Sequence, residues 1–302
     1  MIQSSPAPTV SPRLAVGLAL ASVYFIWGST YLGIKVAVTG MPPLLMSGGR
    51  FVIAGLILLL FLRLRGVALP TREQWANAAK VGILLMVGGN GGVTVAEHLG
   101  VDSGIAATVV ASMPLWLALF GIFWGLRPRA LEWTGMLVGL AGVALLTGEG
   151  GFRFGSLASL IVVLAPLCWA FGSAWSRHLR LPQGLMASAA EMLTGGIVLL
   201  LLSPILGERL EGPITLQSWV AFAYLTVFGS LLAYSAYMYL LSNTRPSLAS
   251  SYAYVNPVVA VLLGIGLGGE TLGLTGVLAM AVILAGVGLI ALSRTRALPQ
   301  GK

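Results

Sequence analysis

Acidic side chains are scarce in this 302-residue chain, with nine Asp and Glu against seventeen Lys and Arg, two His and a single Cys. One cysteine, Cys168, excludes an intramolecular disulfide and, inside an apolar run, says nothing about redox compartment. There is no P-loop and no Gly-x-Gly-x-x-Gly following a strand, so coupling to ATP would require another chain. His98 with Glu97 and Asp102 comes nearest to a metal or proton site, but it has no further ligand and reads as a water-exposed rim. His178 is expected at a solvated helix end. No nucleophile, base and oxyanion constellation is present. The expectation is a chain with no catalytic residues, no metal and no cofactor, in which a membrane enzyme has no motivation.

Apolar surface is what the sequence has in quantity. Hydrophobic residues make up 57%, charged residues 9%, and the mean hydropathy is +0.94, leaving too little polar surface to solvate a globule of this length. Apolar runs of roughly twenty residues suffice to cross a ~30 Å hydrocarbon core. Ten are read, at about 15–36, 44–62, 78–99, 104–125, 131–147, 156–176, 185–206, 217–241, 247–267 and 272–292. The runs are continuous, not alternating, which favours helices over a barrel, and lipid admits only structures that satisfy their own backbone groups. The fold class is all-α, an integral membrane protein of ten transmembrane helices.

The basic balance is explained by topology. With the N-terminus in the cytoplasm, thirteen of the seventeen basic residues fall on inner segments and two, Arg153 and Arg209, on outer loops, while Lys35 and Arg50 lie within or at the ends of helices 1 and 2. That asymmetry places both termini in the cytoplasm and removes the need for a nucleic-acid partner. The first apolar run is too long for a cleaved signal peptide, so helix 1 is expected to stay. Fourteen Arg against three Lys hints at a GC-rich bacterial genome, making the inner membrane of a bacterium the expected location.

The ten runs fall into two copies of five. Trp27 pairs with Trp169, Lys35 with Arg177, Ala106 with Ala249, Pro114 with Pro257 and Gly142 with Gly286, at a spacing of 141 to 144 residues. An odd number of crossings makes the second copy enter from the opposite side, giving inverted repeats of the kind found in transporters. The expected division is a disordered lead at 1–14, a first repeat at 15–148, an outer connection at 149–155, a second repeat at 156–292 and a cytoplasmic tail at 293–302. The boundary between copies is the flexible turn Gly148-Glu149-Gly150-Gly151.

The wording inside the copies resembles a known family. Trp27-Gly28-Ser29-Thr30-Tyr31-Leu32-Gly33-Ile34-Lys35, Arg50-Phe51-Val52-Ile53-Ala54-Gly55 and Ser112-Met113-Pro114-Leu115 in the first copy, with Cys168-Trp169-Ala170-Phe171-Gly172-Ser173, Asn256-Pro257-Val258 and Gly269-Glu270-Thr271 in the second, look like EamA-type members of the drug/metabolite transporter superfamily. Among these the chain is most similar to the YddG-type amino-acid exporters. The resemblance covers residues 15–292. It implies ten helices, export of small metabolites, and a central cavity lined by helices 1–4 and 6–9, with 5 and 10 outside. Arg127 stands in the first copy where the second has Glu270, so the resemblance implies no symmetric role for that acid.

A carrier of cationic drugs usually needs a carboxylate near mid-membrane. None is read there: Glu97 and Asp102 lie at an outer turn, Glu270 in a loop, and Glu191 only some six residues into helix 7. The helix middles are instead aromatic and amide-bearing. Tyr224, Tyr234, Tyr237, Tyr239, Tyr252 and Tyr254 fall on helices 8 and 9, and Trp27 and Trp169 occupy equivalent points of helices 1 and 6. Aromatics of this kind suit a small amphiphilic or aromatic solute, although Trp75, Trp133 and Trp219 near helix ends are ordinary interface anchors. The candidate substrate-binding residues are Trp27, Asn90, Trp169, Tyr234 and Asn256. For the two amides, interhelical bonding or capping of a broken helix is an equal alternative. Pro114 and Pro257 each free a carbonyl one turn earlier and are candidate hinges. Gly88, Gly89, Gly91, Gly92, Gly264 and Gly266 read as packing positions or as hinges.

Arg50 aligns within a residue of Glu191, a swap of charge sign between copies, and Arg177 is the expected partner of Glu191. The resulting expectation is an exporter of aromatic and other neutral amino acids that works as a facilitator in the lipid bilayer, with small-molecule cargo as its partner. A carrier of nucleobases, sugars or drugs, and an integral-membrane enzyme or lipid-handling protein, are the alternatives. Oligomeric state is not encoded in these features.

Overall fold

A computed structural model describes residues 11–101, 106, 109–146, 156–210, 212–268 and 274–293. Asp102, Glu270, the Gly148–Gly151 boundary, the outer connection at 149–155 and most of the lead and tail lie outside the described residues. Within them the chain is helical, with no strand. The segments are α1 (Pro12–Ala37), α2 (Pro43–Leu64), α3 (Arg72–His98), α4 (Met113–Phe123), α5 (Ala130–Leu146), α6 (Leu157–Ser176), α7 (Leu185–Ile205), α8 (Leu216–Asn243), α9 (Tyr252–Gly268) and α10 (Leu274–Leu292). A single turn, Pro246–Ala249, precedes α9. Seven of these helices are long and apolar enough to cross a membrane, and large apolar side chains such as Phe25, Leu60 and Leu201 are 60% or more exposed on their outer faces. In lipid those faces are the solvated ones.

Capping side chains set where several helices begin. Ser11 accepts from the Leu14 N–H, with Pro12 in the first turn, so residues 12–14 start α1 and do not belong to a disordered lead. Thr71 and Gln74 form a reciprocal capping box, which starts α3 at Arg72, six residues before its apolar run. Charged Arg72, Glu73 and Lys80 disguise this polar first segment as a loop. Ser156 and Thr215 cap α6 and α8 by accepting from the N–H groups of Ser159 and Ser218. At α2 the cap comes from the other half of the chain: Glu208 accepts from the N–H groups of Leu44 and Leu45 at 2.8 and 3.0 Å. A carboxylate there satisfies two orphan donors at the positive end of the helix dipole.

Two internal stretches are π-helical, Ile83–Gly91 within α3 and Leu225–Tyr234 within α8. They lie at equivalent places in the two copies. Such wide turns are rare and concentrate at functional positions. Helical periodicity alone does not distinguish them from ordinary α-helix, so the sequence does not announce them.

Helix contacts also follow the repeat. The pairs α2–α7 and α5–α10 each join equivalent helices, while α3–α7 is matched by α8–α2, α3–α6 by α8–α1, and α1–α9 by α6–α4. Under exchange of αn with αn+5, the first two of these contacts map onto themselves and the others onto one another, which is consistent with a two-fold relation between halves. α5 and α10 pack chiefly against each other, with α9 as their neighbour in the bundle. A Cβ added to Gly286 would sit 2.6 Å from the Gly139 backbone nitrogen, so these two helices meet backbone to backbone, and only glycine permits the approach.

Candidate functional site

A cavity lies between the two halves, lined from both. Trp27, Thr30, Tyr31 and Ile34 come from α1, Arg50 and Phe51 from α2, Gly89, Asn90 and Val93 from α3, Val110 from the segment before α4 and Met113 from its first turn. Ala165, Pro166 and Trp169 of α6, Gly229 and Tyr234 of α8, and Tyr252 and Asn256 of α9 complete it. All five residues proposed from sequence as substrate-binding therefore reach one space. α5 and α10 contribute no lining residue, and neither does α7, whose nearest functional group stands behind Tyr234.

Aromatic rings cluster in the wall of the cavity. Trp27 and Trp169 meet edge to face, with centroids 5.5 Å apart and planes at 85°. Trp27 also abuts Tyr252 at 4.6 Å and Tyr237 at 5.3 Å, and Tyr237 abuts Trp169 at 5.8 Å. Offset and perpendicular rings are the favoured geometry, each pair contributing about 0.5–1.5 kcal/mol beyond buried area. Hydrogen bonds fix the cluster in place: the Trp27 Nε1–H donates to the Gly229 carbonyl at 3.0 Å, and the Tyr237 and Ser173 hydroxyls pair at 2.7 Å. Gly89 makes room for the Trp169 ring, since a Cβ there would lie 2.6 Å from its Cε3. Toward the end of the bundle that carries the termini, Tyr24 and Ser251 share a further hydrogen bond of 2.6 Å.

The glycines around Asn90 prove to be packing positions. Gly88 faces Cys168, Gly91 faces Leu199 and Gly92 faces Ala165. Pro114 stands in the first turn of α4, where its missing N–H leaves nothing unpaired, and Pro257 sits inside the continuous α9. Asn256 is one residue earlier in that same unbroken helix, so it does not cap a break. Its side chain is 3% exposed and its Oδ1 has no hydrogen-bond partner.

Two buried pairs were not legible as pairs. In the first half the Arg50 guanidinium donates through Nη2 to Asn90 Oδ1 at 2.8 Å; in the second, the Tyr234 hydroxyl donates to Glu191 Oε2 at 2.5 Å. Both charged residues are buried, at 3% and 0% exposure. The expected Glu191–Arg177 pair does not form, because Arg177 turns to the Thr244 carbonyl at 3.3 Å. Nor is Glu191 a shallow residue, as its place six residues into the helix suggested. It is enclosed, with only Tyr234 between it and the cavity. A charged residue well inside an apolar helix, at matching places in both copies, was the signal to follow.

A third pair joins the halves at the end that carries the termini. Arg245, in the connection before α9, donates to both carboxylate oxygens of Glu132 in the first turn of α5. Ser247 and the backbone N–H of Arg129 donate to the same carboxylate at 2.8 and 2.7 Å. No cluster of three metal-ligating side chains occurs among the described residues.

The EamA-like transporter family matches this chain twice, over residues 14–148 and 156–292. The chain belongs to that family. The uncharacterized inner membrane transporter YedA of Escherichia coli (strain K12) is similar, 49% identical over 276 residues, which cover 91% of this chain and 90% of YedA. The uncharacterized transporter YvbV of Bacillus subtilis (strain 168) is 26% identical over 267 residues, covering 83% of each. A crystal structure 23% identical to the chain superposes with a TM-score of 0.79 over 94% of this chain and 99% of that one, which supports the fold alone. The protein is thus an EamA-type, multi-pass helical membrane transporter and not an enzyme, and small molecules are its cargo.

Proposed function

We propose that this EamA transporter exports small organic metabolites, with aromatic and other neutral amino acids as preferred cargo, across the inner membrane of a bacterium. The observation that carries the reading is the cavity wall: indole and phenol rings from both halves beside the amides of Asn90 and Asn256. Such a wall offers stacking area to an apolar side chain and hydrogen bonds to a polar head. The two halves are read as inverted repeats with both termini in the cytoplasm. The cavity residues of α1, α2 and α3 lie in the halves of those helices away from the termini, so the cavity is read as facing outward, with the Trp27–Trp169–Tyr237–Tyr252 cluster as its cytoplasmic seal. Alternating access follows if the equivalent contacts of the two halves exchange. Among the described residues no carboxylate lines the cavity, and Glu191 meets it only through the Tyr234 hydroxyl. Facilitated diffusion is the mechanism this favours, with flux expected in vesicles that carry no proton gradient.

Trp169→Ala in purified protein reconstituted into vesicles tests the reading. The variant removes the ring that fills the space beside Gly89, its two contacts with Trp27 and Tyr237 of the seal, and its contact with Tyr234. Stacking worth roughly 1 kcal/mol or more is lost, so phenylalanine flux should fall at least about fivefold while the protein still reaches the membrane. Phenylalanine flux at the wild-type rate in a well-folded Trp169→Ala protein removes this residue from the site.

A further inference from the structure

Arg50 is the group in the cavity wall that its surroundings satisfy least. Its side chain is 3% exposed, yet its one hydrogen bond to the described protein is the Nη2–Asn90 contact, and Nε has no partner. A guanidinium carries five N–H donors, and a cation held inside a membrane domain is costly without a counter-charge. Neither ion pair among the described residues involves it; those are Arg245–Glu132 and Arg180–Glu73. Its place is nevertheless firmly held. The guanidinium carbon lies 4.6 Å from the centroid of the Phe51 ring, and Nη1 stands 3.9 Å from where a Cβ on Gly229 would be. Asn90 spends its oxygen on Arg50, so its amide donors are left for the same space.

We infer that Arg50 and Asn90 form the seat for an anionic group on the cargo, a carboxylate, so that the transporter selects organic acids and amino acids over uncharged analogues. The inference rests on reading the cavity as the transport site. A carboxylate there accepts from the guanidinium and from the Asn90 amide, in the planar two-oxygen geometry that arginine presents and lysine does not. Among the described residues, none of those lining the cavity from the opposite half is basic. At its equivalent position stands Glu191, already engaged by Tyr234 and closed off from the cavity.

The test is a panel in vesicles and in thermal-shift binding with the purified full chain: phenylalanine, 3-phenylpropanoate, phenylalaninamide, phenylethylamine, adenine, glucose and inorganic phosphate. Wild-type protein should bind and carry phenylalanine at least about tenfold better than phenylalaninamide. Arg50→Gln should erase that ratio, bringing the two ligands within about twofold of each other, and Arg50→Lys should restore only part of it. A merely structural arginine would instead lower binding of every ligand and leave the ratio unchanged, which overturns the inference, as does equal wild-type affinity for phenylalanine and phenylalaninamide. The wild-type comparison decides the matter by itself if Arg50→Gln fails to fold. Transport of 3-phenylpropanoate but not phenylalanine would sink the amino-acid reading and keep the carboxylate seat. Transport of adenine or glucose alone, stabilisation by inorganic phosphate alone, or no response to any member would sink both.

Discussion

Arg245→Ala should loosen the end of the transporter that carries the termini. The guanidinium donates to both oxygens of Glu132, whose side chain is 1% exposed, while that of Arg245 is 40% exposed. Removing one partner of a buried pair costs about 3–5 kcal/mol because the other charge is stranded. Here the half-open guanidinium weakens the interaction, and Ser247 and the Arg129 N–H still hold the carboxylate, so about 2 kcal/mol is the expected loss. Since the pair ties α5 of one half to the α8–α9 connection of the other, much of that loss should appear as easier parting of the halves. A shift of 2 kcal/mol is about thirtyfold in an open–closed equilibrium. The assay is thiol labelling of Ala174→Cys in a Cys168→Ser background, because Ala174 is 3% exposed near the terminus-bearing end of α6. Labelling should quicken by up to about thirtyfold with Arg245→Ala. It should hardly change with Arg180→Ala, whose partner Glu73 stands 3.6 Å away at side-chain exposures of 83% and 59%. Equal labelling rates and equal melting temperatures for the two variants would refute the assignment of Glu132–Arg245 as a tie between halves.

Gly286→Ala should lower the melting temperature markedly, because its Cβ would press on the Gly139 backbone, whereas Gly288→Ala on the same helix, with nothing within 4 Å of an added Cβ, should leave it unchanged or slightly raised. A loss no larger at Gly286 than at Gly288 would count against the tight α5–α10 seam. A cysteine placed beside Arg65 in a Cys168-free protein should resist impermeant reagent applied to intact cells. Modification from outside would reverse the topology.

The sequence by itself determined the class, the helix count and the repeat, because each is written in quantities that add along the chain: length of apolar run, position of basic residues, spacing between matching motifs. Trp27 and Trp169 were legible for the same reason, since a residue that recurs at the repeat spacing on two central helices must approach the interface of the halves. The polar start of α3 lay in plain view as Thr71-Arg72-Glu73-Gln74, and only its charges hid it. What tertiary structure alone decided is who pairs with whom. Asn90, read from sequence as either a solute contact or an interhelical bond, is the partner of Arg50. Glu191 rejects the expected Arg177 for the Tyr234 hydroxyl, and Glu132 draws Arg245 from 113 residues away. Charge complementarity leaves several partners open to each of these groups. The choice falls to helix rotation and to the π turns at Ile83–Gly91 and Leu225–Tyr234, which set the faces of α3 and α8 and leave no one-residue signature in the chain.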